Sequence, residues 1–92
     1  MRLTIYSKPG CHLCDEMKAL VHRVVTYHAA ISVEEIDISS DPGLLDRYGL
    51  EIPVLMIDGK KVATYRVREE ELTRMIERGK RRGVRGEGRT PA

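Results

Sequence analysis

The chain contains no tryptophan and no phenylalanine, and four tyrosines are its whole aromatic complement. A core must therefore come from Ile, Leu, Val and Met. There are only two cysteines, which excludes a scaffold stapled by several disulfides. No apolar run approaches the roughly 18 residues that would cross a bilayer. The opening run Leu3-Thr4-Ile5-Tyr6 is too short for the apolar part of a secretory leader, and no small-residue cleavage site follows it. A cytoplasmic protein with no membrane partner is the expectation. In that compartment a structural disulfide is unusual, so two close cysteines point to redox or metal chemistry.

Ninety-two residues allow one domain with one modest core. The net charge of +2 is unevenly spread: residues 1–78 carry 11 Lys/Arg against 13 Asp/Glu, and residues 79–92 carry five against one. The basic character therefore belongs to the C-terminal stretch. That stretch holds four glycines and one bulky apolar residue, Val84. It has too little to bury to offset its ordering entropy, so the expected division is a folded domain over 1–78 and a basic, Gly/Arg-rich disordered tail over 79–92.

Hydrophobic periodicity orders the body. Residues 2–6 read as a buried strand, and Pro9-Gly10 breaks it. Leu13, Met17, Leu20, Val21, Val24 and Val25 recur at offsets of three and four, which predicts a helix over 12–28. A second strand is expected at 33–37. Asp41-Pro42 is a helix-start signal for a short helix over 42–48. Pro53-Val54-Leu55-Met56-Ile57 is apolar throughout and reads as a central strand. Asp58-Gly59 predicts a hairpin into an edge strand at 60–65, guarded by Lys60 and Lys61. A last helix is expected over 68–78. The order β-α-β-α-β-β-α predicts an α/β fold. Its sheet would be four-stranded and mixed, with helices on both faces and a right-handed βαβ crossover in the first half.

The two cysteines form the motif Cys11-His12-Leu13-Cys14 at the junction of the first strand and first helix. A thiolate is the attacking species in disulfide exchange, and a free cysteine is mostly protonated at neutral pH. Cys11 falls at the helix start, where unpaired N–H groups and the dipole favour an anion. Lys8 and a protonated His12 add positive charge, while Asp15 and Glu16 oppose it. Cys14, one turn on, is placed to act as the resolving thiol. Three alternatives stand beside this reading. A zinc half-site would need two further ligands, and His12, His22 and His28 form no second paired motif. An iron–sulfur carrier could use Cys11 from two protomers. A redox-inactive adaptor would carry the cysteines as inert core residues. A haem attachment site is excluded, because Asp15 stands where His is needed. His22, His28 and the run Glu69-Glu70-Glu71 read as solvated surface. The basic tail lacks interleaved aromatics, so nucleic acid is not an expected partner.

Ile52-Pro53 opens the central strand. The local sequence fits either a trans, strand-initiating proline or a cis-proline beside the cysteines that leaves the Ile52 backbone free to pair with an extended substrate.

Three stretches together resemble the glutaredoxin-like family of the thioredoxin superfamily. These are Tyr6-Ser7-Lys8-Pro9-Gly10-Cys11-His12-Leu13-Cys14, Glu35-Ile36-Asp37-Ile38, and Ile52-Pro53-Val54-Leu55-Met56-Ile57-Asp58-Gly59. The resemblance spans about residues 2–78. It implies a thioredoxin fold and a thiol–disulfide oxidoreductase with Cys11 as nucleophile, Cys14 as resolving thiol and Pro53 in the cis form. Lys8 and His12 would support the thiolate, and Lys8, Leu13, Ile52 and Pro53 would meet substrate. The sequence departs from the family at several points. His12-Leu13 replaces the usual Pro-Tyr, and Glu51-Ile52 replaces Thr-Val. Ala63-Thr64 and Val67 stand where glutathione-binding members carry Gly-Gly and Asp. Nor does the first strand carry the buried carboxylate of thioredoxins. The expected partners are therefore disulfide-containing proteins or glutathione, with an unidentified reductase. No cofactor or metal is expected, glutathione is a candidate co-substrate, and the expected state is a monomer.

Overall fold

The computed structural model describes residues 1–28 and 30–88, with the backbone alone for 80–88. Seven elements follow one another: β1 (Arg2–Ser7), α1 (His12–Val25), β2 (Ser32–Asp37), α2 (Pro42–Tyr48), β3 (Val54–Ile57), β4 (Lys60–Thr64) and α3 (Glu69–Gly88). Among the described residues no helix is long and apolar enough to cross a membrane.

The four strands form one mixed sheet in the order β2-β1-β3-β4. β1 and β2 run parallel, with Leu3 opposite Val33, as a βαβ unit requires. β3 is antiparallel to β1, with Ile5 opposite Leu55, and β4 is antiparallel to β3. The two most apolar strands are therefore central, and lysine-bearing β4 is an edge. The hairpin between β3 and β4 turns at Asp58 (φ 49°) and Gly59 (φ 84°). Two positive φ values in a two-residue loop match the twist of the flanking strands. The turn is also tied to the sheet: Arg2 N–H donates to Asp58 Oδ1 at 2.8 Å, and Asp58 N–H donates back to the Arg2 carbonyl at 2.8 Å.

Leu3, Ile5 and Leu55 bury one face of the sheet against Met17, Val21 and Val24 of α1 and Leu72 and Ile76 of α3. On the other face the Tyr6 ring stacks on Tyr48 of α2, with centroids 4.9 Å apart. Helices thus cover both faces. α2 begins where the sequence signals it: the Asp41 carboxylate accepts the Leu44 N–H at 3.1 Å, and Pro42 occupies the first turn.

Two boundaries differ from expectation by more than one residue. α1 stops at Val25 instead of 28. The β-branched run Val24-Val25-Thr26 is poorly suited to a helix, and the Thr26 hydroxyl donates back to the His22 carbonyl at 2.8 Å. Tyr27 and His28 then donate to carbonyls three residues back, Val24 and Val25, in a tighter turn. At the other end, the backbone of α3 continues to Gly88, past the expected end at 78. The hydrogen-bond ladder propagates from the docked part of the helix; Lys80, Arg81, Arg82 and Arg85 favour its continuation, and Gly79, Gly83 and Gly86 oppose it. The expectation of disorder over 79–92 otherwise concerns side chains beyond Gly79 and the last four residues, which lie outside the described residues.

Candidate functional site

The site begins where β1 ends. Gly10 has φ +77°, a conformation that glycine adopts without the penalty a side chain would incur. Beyond the adjoining residues, no heavy atom lies within 4 Å of where a Cβ would stand, so backbone conformation, and not crowding, calls for glycine there. That turn leaves Cys11 extended (φ −93°, ψ 111°) as the N-cap of α1. Its sulfur accepts the Cys14 N–H at 3.1 Å, and its carbonyl accepts the Asp15 N–H at 3.1 Å. A sulfur thus occupies the position usually held by a Ser or Asp oxygen.

Cys11 and Cys14 are joined by a disulfide, with Cα atoms 5.1 Å apart. Cys11 is half-buried and Cys14 is fully buried. Of the two sulfur-bearing residues, Cys11 is therefore the more accessible. In the dithiol form, a Cys11 thiolate at a helix start is favoured by the Cys14 N–H and the open amides of the first turn.

Pro53 is buried, and the Ile52–Pro53 peptide is cis. The strand register places it. Val54 lies opposite Tyr6, so Pro53 comes level with the end of β1, where the chain turns towards Cys11. Ile52 is half-buried beside it. His12 is exposed on the first turn of α1, Lys8 is half-buried in the preceding loop, and Leu13 is half-buried. Leu13 lines a groove of about 310 Å³ with Met17, Leu20, Tyr65 and Val67. Cys11, Cys14, Lys8, His12 and Leu13 therefore share one loop-and-helix start, and the β1–β3 pairing brings Ile52 and Pro53 to the same end of the sheet.

Tyr65 is the residue that the sequence did not single out. Its φ is +67°, a left-handed conformation uncommon for a bulky side chain. Its N–H donates to the Pro53 carbonyl at 2.9 Å, and its hydroxyl donates to the Leu50 carbonyl at 2.7 Å. One residue, through its backbone N–H and its side-chain hydroxyl, thus spans the loop that delivers Pro53. The one sequence signal for it is position: Thr64 lies opposite Val54, so the next residue must lie beside Pro53. Among the described residues the buried polar side chains are Thr4 and Ser7, with no carboxylate beneath the cysteine pair. Among the same residues, no group of three or more His, Cys, Asp or Glu side chains is placed to hold a metal.

Residues 2–77 match the family model described as the glutaredoxin-like domain (DUF836). A glutaredoxin-like protein of Dictyostelium discoideum is 29% identical over 77 residues, covering 78% of this chain and 71% of its own. A structural-genomics target protein from X. campestris superposes with a TM-score of 0.70 at 26% identity, covering 83% of this chain and 96% of its own. Thioredoxin 1 of Thermosipho africanus has the same fold, with a TM-score of 0.68 over 92% of this chain and 100% of its own, at 17% identity. With the Cys-x-x-Cys pair at the start of α1 and a match across all but its C-terminal residues, the chain belongs to the glutaredoxin-like domain family and carries a redox-type site on a thioredoxin fold.

Proposed function

We propose that the protein is a thiol–disulfide oxidoreductase, with Cys11 as nucleophile and Cys14 as resolving thiol. One observation carries the reading: a half-buried Cys11 caps α1 and is disulfide-bonded to a buried Cys14 one turn along.

In the reducing direction the Cys11 thiolate attacks one sulfur of a substrate disulfide. A Cys11–substrate S–S bond forms, the substrate's own S–S bond breaks, and the departing thiolate takes a proton from water. Cys14, after losing its proton, attacks the Cys11 sulfur. The second substrate thiolate leaves, and the Cys11–Cys14 disulfide remains. Two electrons pass from the dithiol to the substrate. A thiol-class reductant must return them, and an unidentified reductase or glutathione would supply them. The proton released by Cys14 balances the one taken up by the second departing thiolate.

Lys8 supplies positive charge around the thiolate, and His12 adds to it when protonated. Leu13, Ile52 and Pro53 form the surface that receives substrate, and the Ile52 backbone is the element that pairs with an extended chain. The substrates are disulfide-containing proteins or glutathione mixed disulfides, and the protein acts as a cytoplasmic monomer.

The test is disulfide reduction by the wild type and two variants. Cys11→Ser is expected to abolish reduction, and Cys14→Ser to accumulate a mixed disulfide on Cys11 visible by mass spectrometry. Undiminished reduction by Cys11→Ser would sink the reading. A titration of the pair in glutathione buffer, with mass analysis for glutathione on Cys11, decides whether glutathione is a partner.

A further inference from the structure

The groove beside Leu13 does not end there. It shares Arg66, Val67 and Arg68 with a second depression of about 490 Å³ between β4 and α3. The two make one surface that leads from the Cys-x-x-Cys loop along the open edge of the sheet. Its floor is aliphatic: Leu13, Met17 and Leu20 at one end, and Val62, Val67 and Met75 at the other. Its rim is basic, with Arg23, Arg66, Arg68, Arg74 and Arg78 against Glu16 and Glu71. Arg23 is paired with Glu69 at 3.3 Å, and Arg68 with Glu71 at 3.9 Å. Among the described residues Arg66, Arg74 and Arg78 have no carboxylate partner, and all three are exposed.

We propose that this groove docks an acidic, amphipathic segment of the protein whose disulfide Cys11 attacks. The proposal rests on the thiol–disulfide reading above and names its substrate class. The unpaired arginines call for carboxylates, and the aliphatic floor calls for apolar side chains between them. A chain with both lies along the groove and presents its disulfide at the Leu13 end. The protein's own C-terminal residues cannot fill this role, because 79–92 carry five Lys/Arg and one acid. A nucleic acid would match the charge but not the floor. Tyr65 is the one aromatic lining the groove, and base-stacking sites use several. Complementary charge of this kind acts chiefly on encounter and partner choice, and salt screens it.

The experiment compares two synthetic peptides with the same intramolecular disulfide, one flanked by alternating Glu and Leu, the other by alternating Lys and Leu. The full chain in its reduced form should reduce the acidic peptide about tenfold faster at low salt, as expected from two or three exposed charge pairs. The preference should fall below about twofold in about 0.5 M salt and in the double variant Arg74→Gln/Arg78→Gln. A labelled, cysteine-free version of the acidic peptide should bind in fluorescence anisotropy and lose that binding in the double variant. Equal rates for both peptides would overturn the docking proposal and leave the disulfide chemistry standing. If neither peptide is reduced, the thiol–disulfide reading itself fails. A short DNA duplex that binds more tightly than the acidic peptide would assign the groove to nucleic acid and overturn the proposal.

Discussion

Replacing Tyr65 by Ala and by Gly separates its backbone from its side chain. Both substitutions delete the ring and the hydroxyl that donates to the Leu50 carbonyl. They differ only in what they do at φ +67°. An L-residue in the left-handed region carries a penalty of about 1–2 kcal/mol, which glycine avoids. Glycine in turn loses about 0.5–1 kcal/mol through the freedom it gives the unfolded chain. The left-handed term is the larger, so Tyr65→Gly should be more stable than Tyr65→Ala by about 0.5–1 kcal/mol. At most other positions in the fold the order would be reversed. Urea unfolding of the oxidised protein resolves such a gap, because slopes near 1–3 kcal/mol/M turn it into a midpoint shift of a few tenths of a molar or more. Tyr65→Phe keeps the ring and removes the hydrogen bond, at about 0.5–1.5 kcal/mol. If Tyr65→Ala proves as stable as Tyr65→Gly or more so, Tyr65 is not held left-handed in solution, and its role as the clamp over residues 50–53 fails.

Three further predictions concern other parts of the molecule. The Asp37 carboxyl is held below the ordinary carboxylate value, first by the Ser39 hydroxyl at 2.6 Å and then by the Ser39 N–H at 2.9 Å. A lowered folded-state value means that the stabilisation is present above about pH 4 and is lost as the pH falls through the folded value. Ser39→Ala should move the Asp37 titration up towards the ordinary value in an NMR-monitored titration, and an unmoved titration would refute the assignment. Leu72→Ala should destabilise by about 2–5 kcal/mol in thermal or urea unfolding, since Leu72 is fully buried and joins α3 to the core; a change under about 1 kcal/mol would mean that α3 is not docked as described. Asp41→Ala removes the cap of α2 and should lower stability by about 1 kcal/mol, while Asp41→Asn should restore most of it.

What the sequence makes legible is what local chemistry determines. The apolar run of β3 places it centrally, Lys60 and Lys61 place β4 at an edge, and Asp58-Gly59 sets the two-residue hairpin. Asp41-Pro42 starts α2 at the right residue, and the cysteines announce the start of α1. What stays hidden is set by tertiary contacts. Nothing in Ala63-Thr64-Tyr65-Arg66 signals a left-handed tyrosine, because its conformation is held by hydrogen bonds to Pro53 and Leu50, residues that only the folded chain brings near. The Arg2–Asp58 exchange of hydrogen bonds is invisible for the same reason, since it joins the start of β1 to the residue after β3, 56 positions on in the chain. The arginine-rimmed groove is hidden too: its arginines are scattered between positions 23 and 78 and become one surface only when β4 and α3 meet α1.

The cap on α1 links folding to electron transfer. The sulfur that caps the start of the helix is one half of the Cys11–Cys14 pair. In the disulfide, Cys11 offers the Cys14 N–H a neutral sulfur; in the ionised dithiol it would offer an anion, and a hydrogen bond to a charged partner is roughly twice as strong. Where reduction yields the Cys11 thiolate, the first turn of α1 would be more firmly capped than in the disulfide. By the thermodynamic cycle joining folding and reduction, any free energy that the folded chain gives preferentially to the dithiol must reappear as a more positive potential, about 30 mV for each 1.4 kcal/mol. The electron affinity of the pair is in that sense a property of a helix end, and changes that strengthen or weaken that end would retune it with both cysteines left in place.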